Sequence, residues 1–307
     1  MLDQKIVKEI EKAAGRDGVR EAPMKHFTSF GCGGPAAFMI TAENSLRLAG
    51  ILRILEDSAL PWFVIGKGTN LLVSDEGFPG VIINLSGELD KCLVDGSKVI
   101  CGAGALLPGA ARLAARSDLS GLEPLAHIPG TLGGAVAMNA GAHGSAIGDL
   151  VEWVEICTPG QCRRMGRADM EFGYRASSLA SGAVIARVKL SLRPANGQEI
   201  HEAMIAYRKQ RQATQPRGSR TFGSVFKNPS LDQSAGSLMD KAGCKELSFG
   251  GAAVSRVHAN FIVNKGNATA SEVVKLMNAC RQRVFEKFGL VLEPEVRFLG
   301  NIGLDDL

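Results

Sequence analysis

The sequence predicts an α+β protein with more than one domain and many glycine turns. Three observations lead to this prediction. Stretches with helical spacing and stretches with strand spacing both occur, without the strict alternation of a doubly wound parallel sheet. Glycine accounts for 37 of the 307 residues, well above the usual ~7%. A chain of this length usually forms two or three domains, since one domain takes about 100 to 200 residues.

The N-terminal third contains both helical and strand spacing. At the start, Ile6, Val7 and Ile10 recur among charged side chains and Gly15 follows, which is typical of a surface helix ended by glycine. Short apolar runs further on predict buried strands. The expected elements are helices over 2–14 and about 45–57, and strands over 62–65, 71–73 and 81–83.

Strand spacing returns in the middle of the chain. The run 98–101 is apolar after its first residue, Lys98, and the run 184–192 alternates apolar residues with polar ones such as Arg187 and Lys189. Period-two alternation of this kind predicts a strand with one face toward solvent. A dense group of glycines lies between these two strands, at 128–148.

The last third begins where a helical pattern ends at Pro216, and we place a domain boundary near there. Beyond it, a long amphipathic pattern predicts a helix that ends at a glycine. The expected elements are a helix around 200–207, a short helix ended by Gly243, a strand over 261–263, a helix from about 271 to 288 capped by Gly289, and a strand over 296–298.

Composition argues against several classes of protein. Lys and Arg number 35 and Asp and Glu 31, and without a basic run of five or more we expect no nucleic-acid partner. No apolar run reaches the ~18 residues of a membrane span and the start does not resemble a signal peptide, so we expect a cytoplasmic protein without a membrane partner. The seven cysteines form no CxxC pair, which favours a reducing compartment and no disulfide framework. The histidines are dispersed, and we expect no metal site.

A possible dinucleotide-binding turn, Gly102-Ala103-Gly104, follows the strand at 98–101. The third glycine of that fingerprint allows close packing of helix on strand, but Leu107 stands in its place. An ordinary glycine turn between a strand and a helix is therefore the better interpretation.

Two glycine-rich segments are stronger candidates for a ligand site. Gly66-Lys67-Gly68-Thr69-Asn70 lies between two predicted strands and can offer backbone N–H groups to a diphosphate, although an ordinary turn is the alternative. Residues 128–142 combine many small side chains with Gly133 and Gly134, so a phosphorylated or flat ligand could approach the main chain. Close helix packing would explain the same small residues.

Three polar clusters are weaker signals when taken singly. Gly173-Tyr174-Arg175 places an anion-binding guanidinium beside an aromatic ring. Residues 223–229 present Ser224, Lys227 and Asn228, and residues 293–297 place carboxylates at the start of a strand. Ordinary surface polarity would account for each of them alone.

Taken together and in order, these segments resemble the UDP-N-acetylenolpyruvoylglucosamine reductase (MurB) family. The resemblance covers about residues 23–300 and depends on six separate motifs. They are Thr28-Ser29-Phe30 through Gly33-Gly34-Pro35-Ala36, Gly66 to Leu72, Ile128 to Gly141, Gly173-Tyr174-Arg175, Gly223 to Pro229, and Leu292-Glu293-Pro294-Glu295-Val296-Arg297.

The resemblance implies an FAD-binding fold of the vanillyl-alcohol-oxidase/PCMH type, made of two α+β subdomains, followed by a C-terminal α+β substrate domain. The corresponding boundaries are 1–95, 96–212 and 213–307. Because the first loop offers no histidine for attachment, we expect noncovalent FAD. The implied cofactor-binding residues are Gly66, Lys67, Gly68, Thr69, Asn70, Leu71, Ile128, Pro129, Gly130, Gly133, Gly134, Asn139 and Gly141.

The family reaction reduces the enolpyruvyl ether of UDP-N-acetylglucosamine to UDP-N-acetylmuramate, a step of peptidoglycan precursor synthesis, with NADPH as the hydride source. Arg175, Ser224 and Glu295 match the catalytic set. Arg175 would hold the substrate carboxylate, Glu295 would donate a hydrogen bond to the enolate if burial keeps it neutral, and Ser224 would deliver the proton.

The resemblance also implies a set of substrate contacts and a subtype. Phe27 stands where many members have histidine and Glu246 where glycine is common, and the interval 175–224 is too short for the inserted tyrosine loop of the longer type. The chain therefore resembles the short type. The sequence does not indicate which residues would hold the uridine diphosphate. The expected substrate-binding residues are Tyr174, Arg211, Lys227, Asn228 and Asn260.

Two other functions remain open from the sequence. A flavin oxidase of the same fold would have no use for the segments around Ser224 and Glu295. A noncatalytic FAD-binding or nucleotide-sugar-binding module would keep the glycine loops but need no serine acid. For the assembly, we expect a monomer whose partner is a small nucleotide-sugar.

Overall fold

Helices and short strands follow one another irregularly along the chain. The computed structural model describes residues 2–179, 182–230 and 232–306. The α-helices in these residues are α1 (Gln4–Ala14), α2 (Ser45–Asp57), α3 (Leu107–Arg116), α4 (Leu132–Ala137), α5 (Gly197–Thr214), α6 (Ala235–Lys241) and α7 (Ala270–Phe288).

The strands are short, and many belong to hairpins. They are β1 (Val19–Pro23), β2 (Pro35–Ala42), β3 (Trp62–Ile65), β4 (Leu71–Val73), β5 (Phe78–Leu85), β6 (Cys92–Asp95), β7 (Lys98–Gly102), β8 (Leu119–Ser120), β9 (Gly141–Ala142), β10 (Ser145–Ala146), β11 (Val151–Thr158), β12 (Gln161–Gly166), β13 (Phe172–Gly173), β14 (Ala176–Ser177), β15 (Val184–Ser191), β16 (Arg193–Pro194), β17 (Ser248–Phe249), β18 (Ala252–Val254), β19 (Ile262–Asn264) and β20 (Arg297–Leu299).

The chain divides into two compact units, each made of several segments. The first unit comprises Met1–Arg20, Phe38–Gly66 and Gly80–Gln210, and the second comprises Glu21–Ala37, Lys67–Pro79 and Arg211–Leu307. Two segments of the N-terminal third thus belong with the C-terminal part, which the sequence pattern does not indicate. The three-domain division at 1–95, 96–212 and 213–307 stays a prediction.

The first unit is organised around a five-stranded antiparallel sheet with the order β12-β11-β15-β7-β6. The central strand β15 is the alternating run of the sequence, and its Arg187 and Lys189 form ion pairs with Glu88 and Glu152. Residues 62–65 of β3 pair in parallel with residues 81–84 of β5, which also belong to this unit. Helices α1 and α2 are buried along their apolar faces and share one core with this sheet.

Antiparallel pairing rules out the dinucleotide-binding interpretation of Gly102-Ala103-Gly104. That fingerprint needs a parallel βαβ unit, whereas β7 pairs antiparallel with both β15 and β6. A Cβ on Gly102 would lie 2.1 Å from the backbone of Leu89, so close packing explains this glycine. The turn followed by helix α3 is the ordinary turn that the sequence favoured.

The expectation of no disulfide bond is wrong. Cys92 is bonded to Cys101 and Cys157 to Cys162, while Cys32, Cys244 and Cys280 are free and buried. Each bonded pair lies directly opposite on adjacent antiparallel strands, Cys92 with Cys101 on β6–β7 and Cys157 with Cys162 on β11–β12. Strand register, which a search for CxxC spacing does not reveal, brings these cysteines together.

The second unit has its own core. Strands β17, β18 and β19 form an antiparallel sheet, and β4 pairs in parallel with β20, Leu71 opposite Arg297. Helix α7 is the predicted long helix and begins with a capping box between Thr269 and Glu272, which pairs two backbone donors at its start. Its buried face packs in a cluster that includes Phe30 and Phe222, whose ring centroids are 4.7 Å apart. No helix in the described part of the chain has the length and apolarity to cross a bilayer.

Candidate active site

In the first unit, the glycines of the two candidate loops serve different purposes. A Cβ on Gly66 would lie 2.4 Å from Oγ1 of Thr131, and a Cβ on Gly133 would lie 2.7 Å from the Cβ of Ala103. Both positions therefore require glycine because protein atoms pack against them. At Gly133 this supports the packing alternative that the sequence left open.

Gly134 is different because its surroundings leave room for a side chain. It is exposed, and the nearest atom to an added Cβ is Oγ1 of Thr131 at 3.5 Å, an ordinary contact. Thr131 caps helix α4, and its hydroxyl accepts a long hydrogen bond, 3.5 Å, from the Gly134 N–H. The exposed main chain at Gly134 is therefore the part of residues 128–141 best suited to face a ligand.

Asn139 connects the glycine-rich segment to the hairpin that carries Arg175. Its Nδ2 donates to the carbonyl of Gly173 at 2.8 Å, and its Oδ1 accepts from the N–H of Gly148 at 3.0 Å. Its backbone is left-handed, with φ of 40°, a conformation that Asn tolerates better than most residues. The side chain of Asn139, which is expected to bind cofactor, thus also stabilises the neighbouring hairpin.

Tyr174 and Arg175 form the two-residue turn between β13 and β14. Gly173 pairs with Ala176 across the hairpin, and Arg175 has a left-handed φ of 55°. The Arg175 guanidinium stacks 5.2 Å from the centre of the exposed Tyr174 ring, and its Nη1 donates to the Gly141 carbonyl at 3.4 Å. The turn therefore holds a guanidinium, which can bind an anion, against an aromatic ring.

In the second unit, residues 67–71 are held on two sides. Gly68 has φ of 57°, and a Cβ there would lie 2.2 Å from the carbonyl oxygen of Phe27, so only glycine fits. The Gly68 carbonyl accepts from the N–H of Ser29 at 3.0 Å. On the other side, Nδ2 of Asn70 donates to the carbonyl of Glu295 at 3.0 Å. The loop is therefore tied to the segment just before β20 that contains the predicted catalytic residue Glu295.

The segment with Ser224 is fixed between the segments that contain Asn260 and Glu295. Ser224 forms a bridge with Phe261, and the carbonyl of Val225 accepts from the N–H of Glu295 at 2.8 Å. The N–H of Val225 donates to the carbonyl of Asn260 at 2.9 Å. Two of the three predicted catalytic residues thus lie on adjacent, hydrogen-bonded chain segments, and both are only partly exposed.

Asn260 has a structural role that the sequence does not indicate. Its side chain is buried, its Oδ1 accepts from the N–H of Phe226 at 2.9 Å and its Nδ2 donates to the carbonyl of Phe226 at 2.8 Å. Its own N–H donates to Nδ1 of His258 at 3.2 Å. Burial lowers the pKa of His258, with a further contribution from Lys245. Asn260 therefore positions the Ser224 segment, and its contact with substrate stays a prediction.

The remaining predicted substrate residues already have partners in the second unit. Lys227 pairs with the carboxylate of Glu293 at 3.1 Å, and Oδ1 of Asn228 accepts from the N–H of Ala235 at 3.0 Å. Arg211 is partly buried, which lowers the pKa of its guanidinium. The structure thus brings the segments of Ser224, Asn260 and Glu295 together.

Three residues have roles in this arrangement that the sequence alone did not assign. Ser29 lies in a motif of the resemblance, yet its bonds to Gly68 become visible only in the fold. Thr131 could have been identified as a helix N-cap, since Thr directly before a helical segment is typical of one. Glu293 also lies in a motif of the resemblance, but the sequence does not indicate its ion pair with Lys227.

The residues present fit a noncovalently bound flavin. Neither 66–71 nor 128–141 contains a histidine or cysteine for covalent attachment. Both segments instead expose main chain at glycines, Gly66 and Gly134 among them. Exposed backbone next to small side chains is what a large, flat, diphosphate-bearing cofactor needs.

Comparison with known proteins agrees with these features. An FAD binding domain family matches residues 36–164, and the C-terminal domain family of UDP-N-acetylenolpyruvoylglucosamine reductase matches residues 215–299. The reductase of Heliobacterium modesticaldum is 41% identical over 287 residues, covering 93% of this chain and 91% of its own. The chain belongs to the UDP-N-acetylenolpyruvoylglucosamine reductase family.

Other members of the reductase family show the same extent of similarity. Reductase 2 of Symbiobacterium thermophilum is 42% identical, with 92% of each chain covered. The crystal structure of the Thermus caldophilus reductase superposes with a TM-score of 0.80 at 38% identity, covering 92% of this chain and 98% of that one.

Family membership confirms the main expectations from the sequence. As a UDP-N-acetylenolpyruvoylglucosamine reductase family member, the protein is an oxidoreductase with an FAD-binding domain. The expected fold class is also confirmed as an α+β fold with an FAD-binding domain, followed by the C-terminal domain of the reductase family. The individual site residues remain predictions.

Proposed function

We propose that this protein reduces the enolpyruvyl ether of UDP-N-acetylglucosamine to UDP-N-acetylmuramate, with noncovalent FAD and with NADPH as the reductant. The observation that supports it most is the hydrogen bonding of the Ser224 segment to Glu295 through the carbonyl of Val225. A proton donor and an enolate stabiliser are needed at one reacting group. The product is a precursor of peptidoglycan, and we place the reaction in the cytoplasm, carried out by a monomer.

FAD fits the exposed main chain of the two glycine-rich segments. The residues proposed to bind it are those expected from the sequence, namely Gly66, Lys67, Gly68, Thr69, Asn70, Leu71, Ile128, Pro129, Gly130, Gly133, Gly134, Asn139 and Gly141. When bound, this cofactor supplies hydride transfer, and NADPH is the proposed source of the hydride.

Arg175 is proposed to hold the substrate carboxylate. Its guanidinium offers a fork of N–H donors that matches a carboxylate, and the turn fixes it beside Tyr174. Once hydride has been added to the vinyl carbon of the substrate, negative charge develops on the neighbouring carbon and spreads into this carboxylate. A fixed positive charge lowers the free energy of that state.

Glu295 and Ser224 are proposed to complete the reaction. Glu295, when neutral, can donate a hydrogen bond to the enolate oxygen, as other partly buried carboxylic acids do. Ser224 then gives its hydroxyl proton to the substrate carbon. Lys227 and Asn228, on the same segment, and Tyr174, Arg211 and Asn260 are the proposed contacts to the rest of the nucleotide-sugar.

The first test is spectroscopic. Purified protein should be yellow, NADPH should bleach it without air, and the enolpyruvyl nucleotide-sugar should restore the colour. A colourless protein that takes up no FAD would contradict the proposal. Bleaching that only oxygen reverses would instead indicate a flavin oxidase.

The second test separates the two half-reactions. Proton delivery is needed only by the substrate, so Ser224→Ala should leave bleaching by NADPH near the parent rate. Reoxidation by substrate should fall by ~10² to 10⁴, the usual loss on removing a positioned acid. Stopped-flow absorbance measures both steps. Ser219→Ala, an exposed serine on the same stretch of chain, is the control and should change neither.

Arg175 and Glu295 can be tested in the same experiment. Arg175→Lys keeps the charge but loses the fork, and Glu295→Gln keeps a hydrogen-bond donor but removes the acid. Both variants should retain flavin and slow reoxidation by substrate. Loss of flavin from either variant would show that the residue binds cofactor and has been assigned the wrong role.

A further inference from the structure

One cluster of potential metal ligands lies on the outer hairpin β11–β12 of the first unit, apart from the residues proposed for catalysis. Glu155, Cys157 and Cys162 each offer one ligand atom, and these three atoms lie within 4.8 Å of one another. Cys157 and Cys162 are directly opposite on the two strands, with Cα atoms 4.1 Å apart. Glu155 precedes Cys157 by two residues, the spacing that puts side chains on one face of a strand.

The start of helix α2 lies against this cluster. The carbonyl oxygen of Ser45, the first residue of α2, is 3.6 Å from Sγ of Cys157 and 3.3 Å from Sγ of Cys162. The hydroxyl of Ser45 donates to Oε1 of Glu155. The first residue of α2 therefore lies against all three side chains of the cluster.

We propose that, when the Cys157–Cys162 disulfide is reduced, these two thiolates and Glu155 bind a soft divalent metal ion of the zinc type. Two thiolates and one carboxylate are a ligand set that suits Zn²⁺, with water in the fourth position, and that Mg²⁺ and Ca²⁺ avoid. The bond from Ser45 orients Glu155, as partners of metal-binding carboxylates commonly do. Partial exposure of Glu155 and Cys162 gives the ion a path from solvent.

The metal and the disulfide exclude each other. A thiol or phosphine reductant supplies two electrons, and with two protons the disulfide becomes two thiols. The metal ion then displaces both thiol protons into the buffer as two metal–sulfur bonds form. Two thiolates on one tetrahedral zinc lie about 3.8 Å apart, so their sulfurs cannot remain bonded to each other.

The chain contains a matched control for this site. Cys92 and Cys101 are also opposite on adjacent antiparallel strands, again with Cα atoms 4.1 Å apart. Among the described residues, however, no third histidine, cysteine or acidic side chain groups with them. If a pair of opposed thiols sufficed, both hairpins would bind metal, whereas the proposal requires only β11–β12 to do so.

Cobalt(II) is the probe for the first experiment, with phosphine-reduced protein under anaerobic conditions. One equivalent should bind and give the thiolate-to-cobalt charge-transfer band, and zinc should then abolish that band. The band should be absent from Cys162→Ser and retained in Cys92→Ser. Glu155→Gln should bind cobalt at least about tenfold more weakly, and circular dichroism checks that each variant is folded.

A second measurement uses the parent protein alone. Zinc should slow alkylation of the partly exposed Cys162, measured by mass spectrometry of peptides, and leave alkylation of the partly exposed Cys92 unaffected. The proposal is overturned if the parent shows no charge-transfer band, if Cys162→Ser binds cobalt as tightly as the parent, or if zinc protects Cys92 as much as Cys162.

Discussion

At the scale of single residues, the two adjacent glycines of α4 should respond differently to alanine. Gly133→Ala would place a Cβ 2.7 Å from the Cβ of Ala103, and overpacking of this kind costs about 1 to 3 kcal/mol of unfolding free energy. Gly134→Ala meets only an ordinary contact and gains helix propensity. We therefore expect a lower melting temperature for Gly133→Ala, with the apoprotein of Gly134→Ala at least as stable as the parent.

Flavin content gives the complementary result for Gly134. If its exposed main chain faces FAD, the bulkier Gly134→Val should be purified with much less flavin. Gly109→Val is the control, because Gly109 is also a helical glycine with an ordinary Cβ contact but lies outside the candidate segments. Full, tightly held FAD in Gly134→Val would mean that this residue does not contact the cofactor.

His258 should make stability depend on pH. Burial lowers the pKa of His258 below its usual 6.5 in the folded protein, so between the two values the unfolded chain binds more protons. The contribution of His258 to stability is therefore complete above about pH 6.5 and is lost as pH falls toward the folded pKa. Protonation would also end the acceptance of the Asn260 N–H by Nδ1.

Urea unfolding between pH 7.5 and 5.5 measures this effect. The parent should lose more unfolding free energy over that interval than His258→Gln, which keeps polar atoms but does not titrate. Equal losses in the two proteins would assign the acid sensitivity to other groups.

At this scale, sequence motifs pointed to candidate residues but did not indicate the hydrogen bonds that these residues make. Ser224 and Glu295 were expected from their motifs, and the structure joins their segments through Val225. For Asn260 and Asn139, the amide type gave no hint that both oxygen and nitrogen would bond to backbone. Such bonds depend on segments that are distant in sequence or folded into tight turns, so spacing alone does not predict them.

At the scale of elements, the local stability of the hairpin β13–β14 should depend on the hydrogen bonds of Asn139. Asn139→Gly keeps the left-handed backbone accessible but removes the hydrogen bonds to Gly173 and Gly148. We expect faster hydrogen exchange at 172–177 and slower reoxidation of flavin by substrate, since the hairpin positions Arg175. Flavin should be retained if bracing is the main role of this side chain.

Asn139→Asp is the matched comparison for that hairpin. The carboxylate still accepts from the N–H of Gly148 but can no longer donate to the carbonyl of Gly173. Its second oxygen instead repels the carbonyl oxygen of Gly173, because both are negatively charged. Exchange at 172–177 should therefore rise in this variant too. Unchanged exchange in both variants would show that the hairpin holds its conformation without Asn139.

Elements with strong periodicity and caps were predicted well, and elements that depend on register were not. The long helix was expected from about Ser271 to Phe288 and is observed at Ala270–Phe288, since Thr269, Glu272 and Gly289 mark its ends. The opposition of Cys157 and Cys162 depends instead on a hairpin whose register the sequence does not specify. The disulfides were missed for this reason.

At the scale of the whole molecule, local sequence patterns gave no warning that the chain divides into interleaved segments. Strand β4 pairs in parallel with β20, so Leu71 lies opposite Arg297, more than two hundred positions away. Only long-range pairing assigns Lys67–Pro79 to the second unit. Chain length suggests more than one domain, but no local pattern indicates which segments each compact unit contains.

Both disulfides belong to the first unit, and this makes the effect of reduction local. The bonds close short stretches, with sequence separations of 9 and 5. In the chain-entropy description, each such bond stabilises the fold by at most about 2 to 3 kcal/mol. Reduction in the presence of a chelator should lower the unfolding free energy of the first unit by no more than the sum of these values, and should leave the core around α7 unaffected.

Hydrogen exchange with and without a phosphine reductant measures where the change occurs. Protection from exchange should decrease in the hairpins β6–β7 and β11–β12 and stay the same along α7. Among the described residues, the buried face of α7 packs only within the second unit's cluster. The double variant Cys92→Ser with Cys157→Ser, which can form neither bond, should show no response to the reductant. A loss of protection along α7 equal to that in the hairpins would mean that the two units unfold as one cooperative body, because a perturbation confined to one core would then open the other.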